Sequence, residues 1–294
     1  MKKNLIIKTG AAGDVVRTTV LLNALPEKIT WLVDEKYIDI LPRDHPHLEK
    51  IISIQNAEEL LSEEFDLIIS LEENLQCAML ASKIVSKKIT GVYFADNNLK
   101  YTEDSAGWFD ISLISSKGFA IANTIKSRNT LSFQYLLFNM VGLSFRGEPY
   151  CIYKDENIFA EEKLIGIEKR SGNRWPNKSW YGYDQLAENL SKQGFKIKLL
   201  TERNSIKDYL NDIAACNYII SGDTLAMHVA LAYNKPCVAI FNCTSPDEIY
   251  DYGILKKIIS PLLKKVFYQT NFDESAITAV KVEEVESAFR SLLY

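Results

Sequence analysis

A repeated unit of a short apolar run, a turn and a segment with helical periodicity constrains this fold more than any other sequence feature. The short runs of the first half are rich in Ile and Val, and they span 4–8, 29–33, 50–54, 65–70 and 89–94. Helix-like segments lie between them, at 15–24, 57–61 and 75–85. Strands that alternate with helices predict an α/β fold, in which helices cover both faces of a parallel sheet.

The same pattern starts again in the second half, after an irregular stretch at 97–117 and a predicted helix at 130–141. The predicted strands are 164–167, 195–200, 218–221 and 237–241, and the predicted helices are 180–190, 206–215, 225–232 and 282–293. Residues 142–155 contain Gly147 and Pro149 and form the best linker candidate. We therefore predict two domains, 1–150 and 151–294. The apolar stripe of the last helix could pack back on the N-terminal domain.

Composition narrows the classes of function. A chain of 294 residues can form two domains that fold without disulfides or metals. A net charge of −4 and a pI near 5.6 disfavour a nucleic-acid partner. The five cysteines and three histidines lack metal-ligand spacing, so we predict buried cytosolic thiols and no metal site. Because the sequence contains no apolar segment long enough to span a bilayer, we expect a soluble cytoplasmic protein.

The turn after the first strand is the first candidate site. Small residues there let a ligand approach the backbone, and the start of the next helix offers amide groups to an anion. Asp14 could accept a proton from a substrate hydroxyl, or it could cap the helix. Nearby cations could orient an anionic acceptor. The candidate residues on this acceptor side are Lys8, Gly10, Ala11, Gly13, Asp14 and Arg17.

A second group of candidates lies in the second half. One strand ends at Gly222 and a helix follows, so backbone amides together with Asp223 and Thr224 could bind a diphosphate. Arg174 suits bidentate phosphate binding, and Glu202 could accept hydrogen bonds from a ribose. Each of these residues also has an ordinary structural explanation, such as capping or solvation. The candidate donor-side residues are Asn173, Arg174, Glu202, Gly222, Asp223, Thr224, Leu225 and His228.

Three motifs, in their order along the chain, resemble those of glycosyltransferase family 9, the bacterial heptosyltransferases. They are Lys8 with Gly13–Asp14, Arg174–Trp175–Pro176, and the run from Gly222 to His228. The resemblance covers most of the chain and implies a GT-B fold, with two Rossmann-like parallel-sheet domains that face each other across a cleft. It also implies that the N-terminal half binds the acceptor and that the C-terminal half binds a nucleotide-diphosphate sugar.

The same resemblance implies an inverting, metal-independent transfer without a cofactor. A heptose would move from ADP-heptose to a hydroxyl of a lipopolysaccharide core or another cell-surface glycan. Asp14 would be the general base, and the amides at 223–225, with Arg174, would stabilise the departing diphosphate. The chain has Asn173 where the family often has a lysine, so phosphate contacts could fall to Arg174 alone or to Lys169 and Arg170. Leu225 replaces the usual glycine or proline.

Two other readings stay open at this point. A nicotinamide-dependent oxidoreductase would use Gly10, Gly13 and an acidic residue, Asp34, at the end of the second strand. A non-catalytic sugar-nucleotide-binding relative is favoured by the departures at Asn173 and Leu225. A weak basic face could give peripheral contact with the inner face of the cytoplasmic membrane, although scattered surface lysines explain it equally well. Its residues would be Lys83, Lys87, Lys88, Lys117, Lys126 and Arg128.

Overall fold

The computed structural model describes residues 2–114 and 117–293. It divides the chain into two compact units, Met1–Tyr153 and Lys154–Tyr294. Residues 1, 115, 116 and 294, which fall within the predicted domains and the irregular stretch, lie outside the described ranges. Each unit is built around one sheet, and parallel strand pairs dominate both sheets. The prediction of an α/β fold with two parallel-sheet units is confirmed.

The first sheet has the strand order β3-β2-β1-β4-β5-β6. All its pairs are parallel except the pair of β5 and β6 at one edge. Its strands are β1 (Lys3–Ile7), β2 (Lys28–Val33), β3 (Leu48–Ser53), β4 (Glu64–Ser70), β5 (Val85–Ala95) and β6 (Asn98–Tyr101). Its α-helices are α1 (Ala12–Thr18), α2 (Leu75–Lys83), α3 (Ala106–Phe109), α4 (Phe119–Lys126) and α5 (Phe133–Met140). Four 3-10 helices, Thr19–Asn23, Glu35–Ile40, Ile54–Ser62 and Glu103–Ser105, complete this unit.

The helix predicted at 15–24 is shorter than expected. It ends at Thr18 and continues as a 3-10 helix. The Thr18 hydroxyl donates to the Asp14 carbonyl over 2.7 Å, and the Thr19 hydroxyl donates to the Val16 carbonyl over 2.5 Å. Such side-chain donors compete for the helical carbonyl groups, which explains why the helix tightens at this point.

The second sheet is parallel throughout and has the order β11-β10-β9-β7-β8. Its strands are β7 (Leu164–Ile167), β8 (Lys196–Leu199), β9 (Tyr218–Gly222), β10 (Cys237–Phe241) and β11 (Leu255–Ile259). A 3-10 turn spans Pro176–Lys178. The α-helices of this unit are α6 (Tyr183–Lys192), α7 (Ile206–Ala214), α8 (Leu225–Ala232), α9 (Leu263–Val266), α10 (Glu274–Thr278) and α11 (Val282–Arg290).

The apolar stripe of α11 lies in the core of the second unit. Val285 and Phe289 are fully buried there, in one cluster with residues of β7, α6 and β10. The Phe289 ring lies 5.1 Å from the ring of Phe195 and 5.3 Å from that of Tyr218, measured between centroids. The apolar stripe of α11 is therefore buried within its own unit.

Sequence reasoning missed two strands, β6 and β11, and the short helices α3, α4, α9 and α10. Asp96 and Asn97 have φ values of 49° and 60°, and they form the tight turn between β5 and the antiparallel strand β6. Aspartate and asparagine are among the residues that tolerate such a turn best, so this dipeptide was an available signal. β6 has only four residues, which is too short for a clear alternation.

The strand orders locate the places where ligands bind to sheets of this kind. The chain reverses direction across the first sheet between β1 and β4, and across the second sheet between β7 and β9. In open α/β sheets, ligands bind beyond the carboxyl ends of the strands at such a switch point. The turns after β1, β4, β7 and β9 are therefore the first segments to search for a site.

Candidate active site

The turn after β1 is fixed by hydrogen bonds to the neighbouring strand. The Lys8 amide donates to the Leu32 carbonyl over 3.2 Å, and the Lys8 carbonyl accepts a bond of 3.2 Å from the Trp31 indole. The Thr9 carbonyl accepts the amide of Asp34 over 3.1 Å. These bonds hold the turn in a defined position at the carboxyl edge of the sheet.

Glu72 lies at the centre of this turn, although sequence reasoning did not select it. It follows β4, the strand that pairs with β1. Its Oε1 atom accepts hydrogen bonds from Lys8 Nζ at 2.8 Å, from the Thr9 amide at 2.7 Å and from the Gly10 amide at 3.0 Å. One carboxylate oxygen thus joins the turn to the adjacent strand. The available signal was its place directly after a buried strand.

Asp14 lies on the first turn of α1, and its side chain is 40% exposed. The N-cap residue of α1 is Ala11, so Asp14 does not serve as the N-cap. Its carboxylate forms an ion pair with the Arg17 guanidinium, and its Oδ2 atom lies 3.9 Å from Lys8 Nζ. Two cations therefore orient a carboxylate that solvent and a ligand can still reach.

The cations predicted to meet the acceptor are themselves held by carboxylates. Lys8 is bonded to Glu72, and Arg17 is paired with Asp14. The Arg17 guanidinium also lies over the ring of Phe133, 3.5 Å from its centroid. Much of the positive charge on this side is therefore balanced before any ligand binds.

A further carboxyl group, Glu73, lies next to this cluster and was also missed by sequence reasoning. Burial raises its pKa, although hydrogen bonds from Ser112 and Tyr101 and the charge of Lys8 act in the opposite direction. The Tyr101 hydroxyl donates to Glu73 Oε1 over 3.0 Å. Two adjacent carboxyl groups, at 72 and 73, thus face different environments at the end of β4.

Replacing Glu72 by alanine is expected to lower the free energy of unfolding by about 3 kcal/mol. The Lys8 side chain is only 8% exposed and would lose its closest counter-charge, while the amides of Thr9 and Gly10 would lose their acceptor. Urea denaturation measures the change. Glu72→Gln is the matched control. It keeps an acceptor oxygen, so it should lower the free energy of unfolding by less than the alanine variant does. An alanine variant as stable as the natural chain would show that this carboxylate does not hold the turn.

The turn between β9 and α8 forms the centre of the donor-side candidates. Thr224 is the N-cap residue of α8 and makes no side-chain capping hydrogen bond. The Asp223 carboxylate pairs with a lysine, Lys178, at 2.9 Å, and its other oxygen lies 3.9 Å from His228 Nε2. The simple capping explanation for these two residues is therefore wrong, and the first amides of α8 are not covered by a capping side chain.

Asp223 is held as a carboxylate. Burial by itself would raise its pKa, but the charge of Lys178, then that of His228, and the hydrogen bond from Lys178 outweigh it and hold the pKa well below the ordinary range. Lys178 was not a candidate from sequence. It lies in the segment after β7, and the neighbouring strand β9 leads to Asp223, so only the strand order brings the two together.

Three other predicted donor residues do not contact Asp223 in the part of the chain that the structure describes. Asn173 and Arg174 are exposed, and the Arg174 guanidinium lies over the ring of Trp175, 5.1 Å from its centroid. Glu202 is exposed and lines a polar cavity of about 380 Å³ beside the start of α7. Within residues 2–114 and 117–293, no hydrogen bond or ion pair joins any of the three to Asp223.

The two alternative phosphate-binding cations are committed to other partners. Lys169 forms an ion pair with Asp184, and Arg170 bonds Glu168 through two nitrogen atoms, at 2.9 and 2.6 Å. The Glu168 carboxylate also accepts the Tyr209 hydroxyl over 2.7 Å. These contacts stabilise the loop after β7. Of the three cations in this segment, Lys178 is the one that contacts Asp223 at the start of α8.

Asp34, the ribose ligand of the oxidoreductase reading, has a local structural role. It is the N-cap of the 3-10 helix Glu35–Ile40 and accepts the Lys36 amide over 3.2 Å. Among the residues that the structure describes, no helix is both long and apolar enough to cross a membrane. The same residues contain no group of three or more His, Cys, Asp or Glu side chains that could hold a metal ion.

Comparison with known proteins relates the turn between β9 and α8 to a known family. Residues 200–271, which include β9 and α8, match the family model of glycosyltransferase family 9 (heptosyltransferase). The lipopolysaccharide heptosyltransferase 1 of Campylobacter coli is 22% identical over 95% of both chains. The chain is therefore similar to the heptosyltransferases of glycosyltransferase family 9. The lipopolysaccharide heptosyltransferase 2 of Escherichia coli K12 is 31% identical, but the match spans only 39% of this chain and 40% of that protein.

Solved structures of family 9 proteins share the fold over nearly the whole chain. A family 9 glycosyltransferase from Veillonella parvula superposes with a TM-score of 0.67 at 19% identity and covers 99% of this chain and 97% of its own. The E. coli ADP-heptose lipopolysaccharide heptosyltransferase II has the same TM-score at 16% identity and covers 100% and 98%. These matches confirm the predicted GT-B type of fold.

Proposed function

We propose that this protein is an inverting family 9 glycosyltransferase that does not require a metal ion. It moves a sugar, in our proposal a heptose from ADP-heptose, to a hydroxyl of a lipopolysaccharide core or another cell-surface glycan. The family supports glycosyl transfer, and a relative with TM-score 0.65, E. coli heptosyltransferase WaaC, was solved with ADP. The observation that carries the proposal is the uncapped start of α8 at the carboxyl edge of the second sheet.

The start of α8 is chemically suited to a leaving diphosphate. The first amides of a helix have no intrahelical acceptor, and the helix dipole adds a partial positive charge at this end. Fixed donors of this kind stabilise the charge that develops as the bond between sugar and phosphate breaks. Leu225 replaces the small residue that the family has here, so we expect the diphosphate to contact the backbone beside a bulkier side chain.

Asp14 is proposed as the general base on the acceptor side. The acceptor oxygen attacks the anomeric carbon while the bond from that carbon to the diphosphate oxygen breaks. Attack opposite to the departing group inverts the configuration. The hydroxyl proton passes to Asp14, and the negative charge leaves with the nucleoside diphosphate. The two cations beside Asp14 hold its carboxylate in position, and a carboxylate is a weak base, which suits a hydroxyl that loses its proton late.

The remaining predicted residues keep supporting roles in this proposal. Lys8, Gly10, Ala11, Gly13 and Arg17 shape the acceptor side, and Arg174, Asn173, Glu202 and His228 belong to the donor side. An acceptor linked to lipid would bring the enzyme to the cytoplasmic face of the membrane. We propose only weak contact there, because two of the candidate lysines, Lys87 and Lys88, are paired with Asp66 and Asp104.

A panel of ligands tests the proposal. Thermal unfolding is measured with ADP, UDP, NAD and ADP-heptose, followed by turnover with a heptose-deficient lipopolysaccharide in the presence and absence of EDTA. We expect stabilisation by ADP and ADP-heptose and turnover that EDTA does not reduce. Stabilisation by NAD alone would favour the oxidoreductase, and donor binding without any turnover would favour a non-catalytic relative.

A further inference from the structure

We infer that Lys178 is the cation that binds the diphosphate of the donor, a role that sequence motifs do not assign to it. This inference rests on the proposed function and names one further residue of the same site. The Lys178 ammonium lies at the turn into α8, where it contacts both the carbonyl and the carboxylate of Asp223, at 2.7 and 2.9 Å.

The ammonium has a donor to spare. A lysine carries three N–H donors, and among the residues that the structure describes Asp223 accepts two of them. The Lys178 side chain is 18% exposed, so an anion can reach it. Because Asp223 and Lys178 together carry no net charge, a diphosphate that bound to the third donor and to the amides of α8 would meet no uncompensated carboxylate.

The segment that carries Lys178 is fixed on both sides. The amide group of Asn177 is fully buried, donates to the Asn271 carbonyl over 2.9 Å and accepts the Asp273 amide over 2.8 Å. The Ser179 carbonyl accepts a bond of 2.6 Å from the side chain of Asn242. A cation held in this way loses little conformational freedom when it binds an anion, whereas the exposed Arg174 must be ordered first.

One buried polar group next to this segment is consistent with an absent ligand. Asn242 follows β10 and is 1% exposed, and its amide nitrogen is the donor to Ser179. Its Oδ1 atom is buried and accepts no hydrogen bond among the described residues. Unsatisfied buried acceptors are uncommon in folded proteins and call for a specific reason, such as a water molecule or a ligand hydroxyl, since an ionised diphosphate has no proton to donate to this oxygen. The buried Thr224 hydroxyl at the start of α8 also has no partner among the described residues, and it can donate to an anion.

The test compares nucleoside diphosphates with their own nucleosides, because only the former carry the charge that Lys178 would bind. Dissociation constants for ADP and adenosine, and for UDP and uridine, are measured by calorimetry on the full chain. The readout is the preference for diphosphate over nucleoside. Lys178→Gln keeps a side-chain donor and removes the charge, so it should lower this preference by roughly tenfold or more. Lys192→Gln removes a surface lysine of the same unit that pairs with Glu188, and it should leave the preference unchanged.

The outcomes distinguish a failure of the proposed function from a failure of the role inferred for Lys178. If the natural chain shows no preference for either diphosphate, the proposed function fails and this inference falls with it. If the natural chain shows the preference and Lys178→Gln retains it, or loses diphosphate and nucleoside affinity equally, only the role of Lys178 is overturned. The double variant Lys178→Gln with Asp223→Asn removes both charges of the pair, so it tests the same preference even if the single variant fails to fold.

Discussion

Replacing Asp14 by asparagine is expected to lower kcat by roughly 100- to 10,000-fold, which is the usual contribution of a positioned general base. The substitution keeps the size of the side chain but removes its charge, and with it both the capacity to accept the hydroxyl proton and the ion pair with Arg17. Because Asp14 lies in the first unit and the α8 turn in the second, affinity for ADP should stay within about twofold of that of the natural chain. Initial rates and calorimetric ADP binding measure the two quantities.

Asp39→Asn is the matched control for this experiment. Asp39 lies in the same unit, its side chain is 37% exposed, and it pairs with Arg43 four residues along, much as Asp14 pairs with Arg17. It lies outside the proposed site, so its kcat should match that of the natural chain. Normal turnover in Asp14→Asn would remove Asp14 from the role of base, and the nearby carboxyl groups of Glu72 and Glu73 would then have to be tested.

Replacing Asp223 by asparagine is expected to lower the free energy of unfolding at pH 7 by about 3 kcal/mol, because it leaves the charge of Lys178 without its partner in a mostly buried place. Urea denaturation measures this change. Asp184→Asn is the control, since Asp184 also pairs with a lysine but is 77% exposed, and its loss should cost about 0.5 kcal/mol or less.

The contribution of Asp223 to the free energy of unfolding should depend on pH in a defined direction. Its pKa in the folded protein is lowered below that of the unfolded chain, where an aspartate titrates near 4. Its contribution to stability is therefore complete above about pH 5, and it is lost as the pH falls toward the lower, folded pKa. The difference in stability between the natural chain and Asp223→Asn should shrink between pH 5 and pH 3. If the difference in stability stays constant over this range, the charge of the Asp223 carboxylate is not what stabilises the natural chain.

Much of the fold followed from local sequence. The spacing of Ile- and Val-rich runs predicted nine of the strands now observed and the parallel character of both sheets, because fully buried strands are apolar throughout and short. Boundaries were less well predicted where side chains intervene. The hydroxyls of Thr18 and Thr19 shorten α1, and β6 depends on the Asp96–Asn97 turn and not on a pattern of its own.

The sequence alone determined that turns containing glycine and aspartate join β1 to α1 and β9 to α8, and a helix start of this kind is a place where an anion can bind. It did not determine which charges meet there. Glu72 binds Lys8 across 64 residues, and Lys178 binds Asp223 across 45, and both pairs exist because β4 lies beside β1 and β9 beside β7. Strand order is a property of the whole sheet, set by how the crossovers pack, and no local window of sequence contains it.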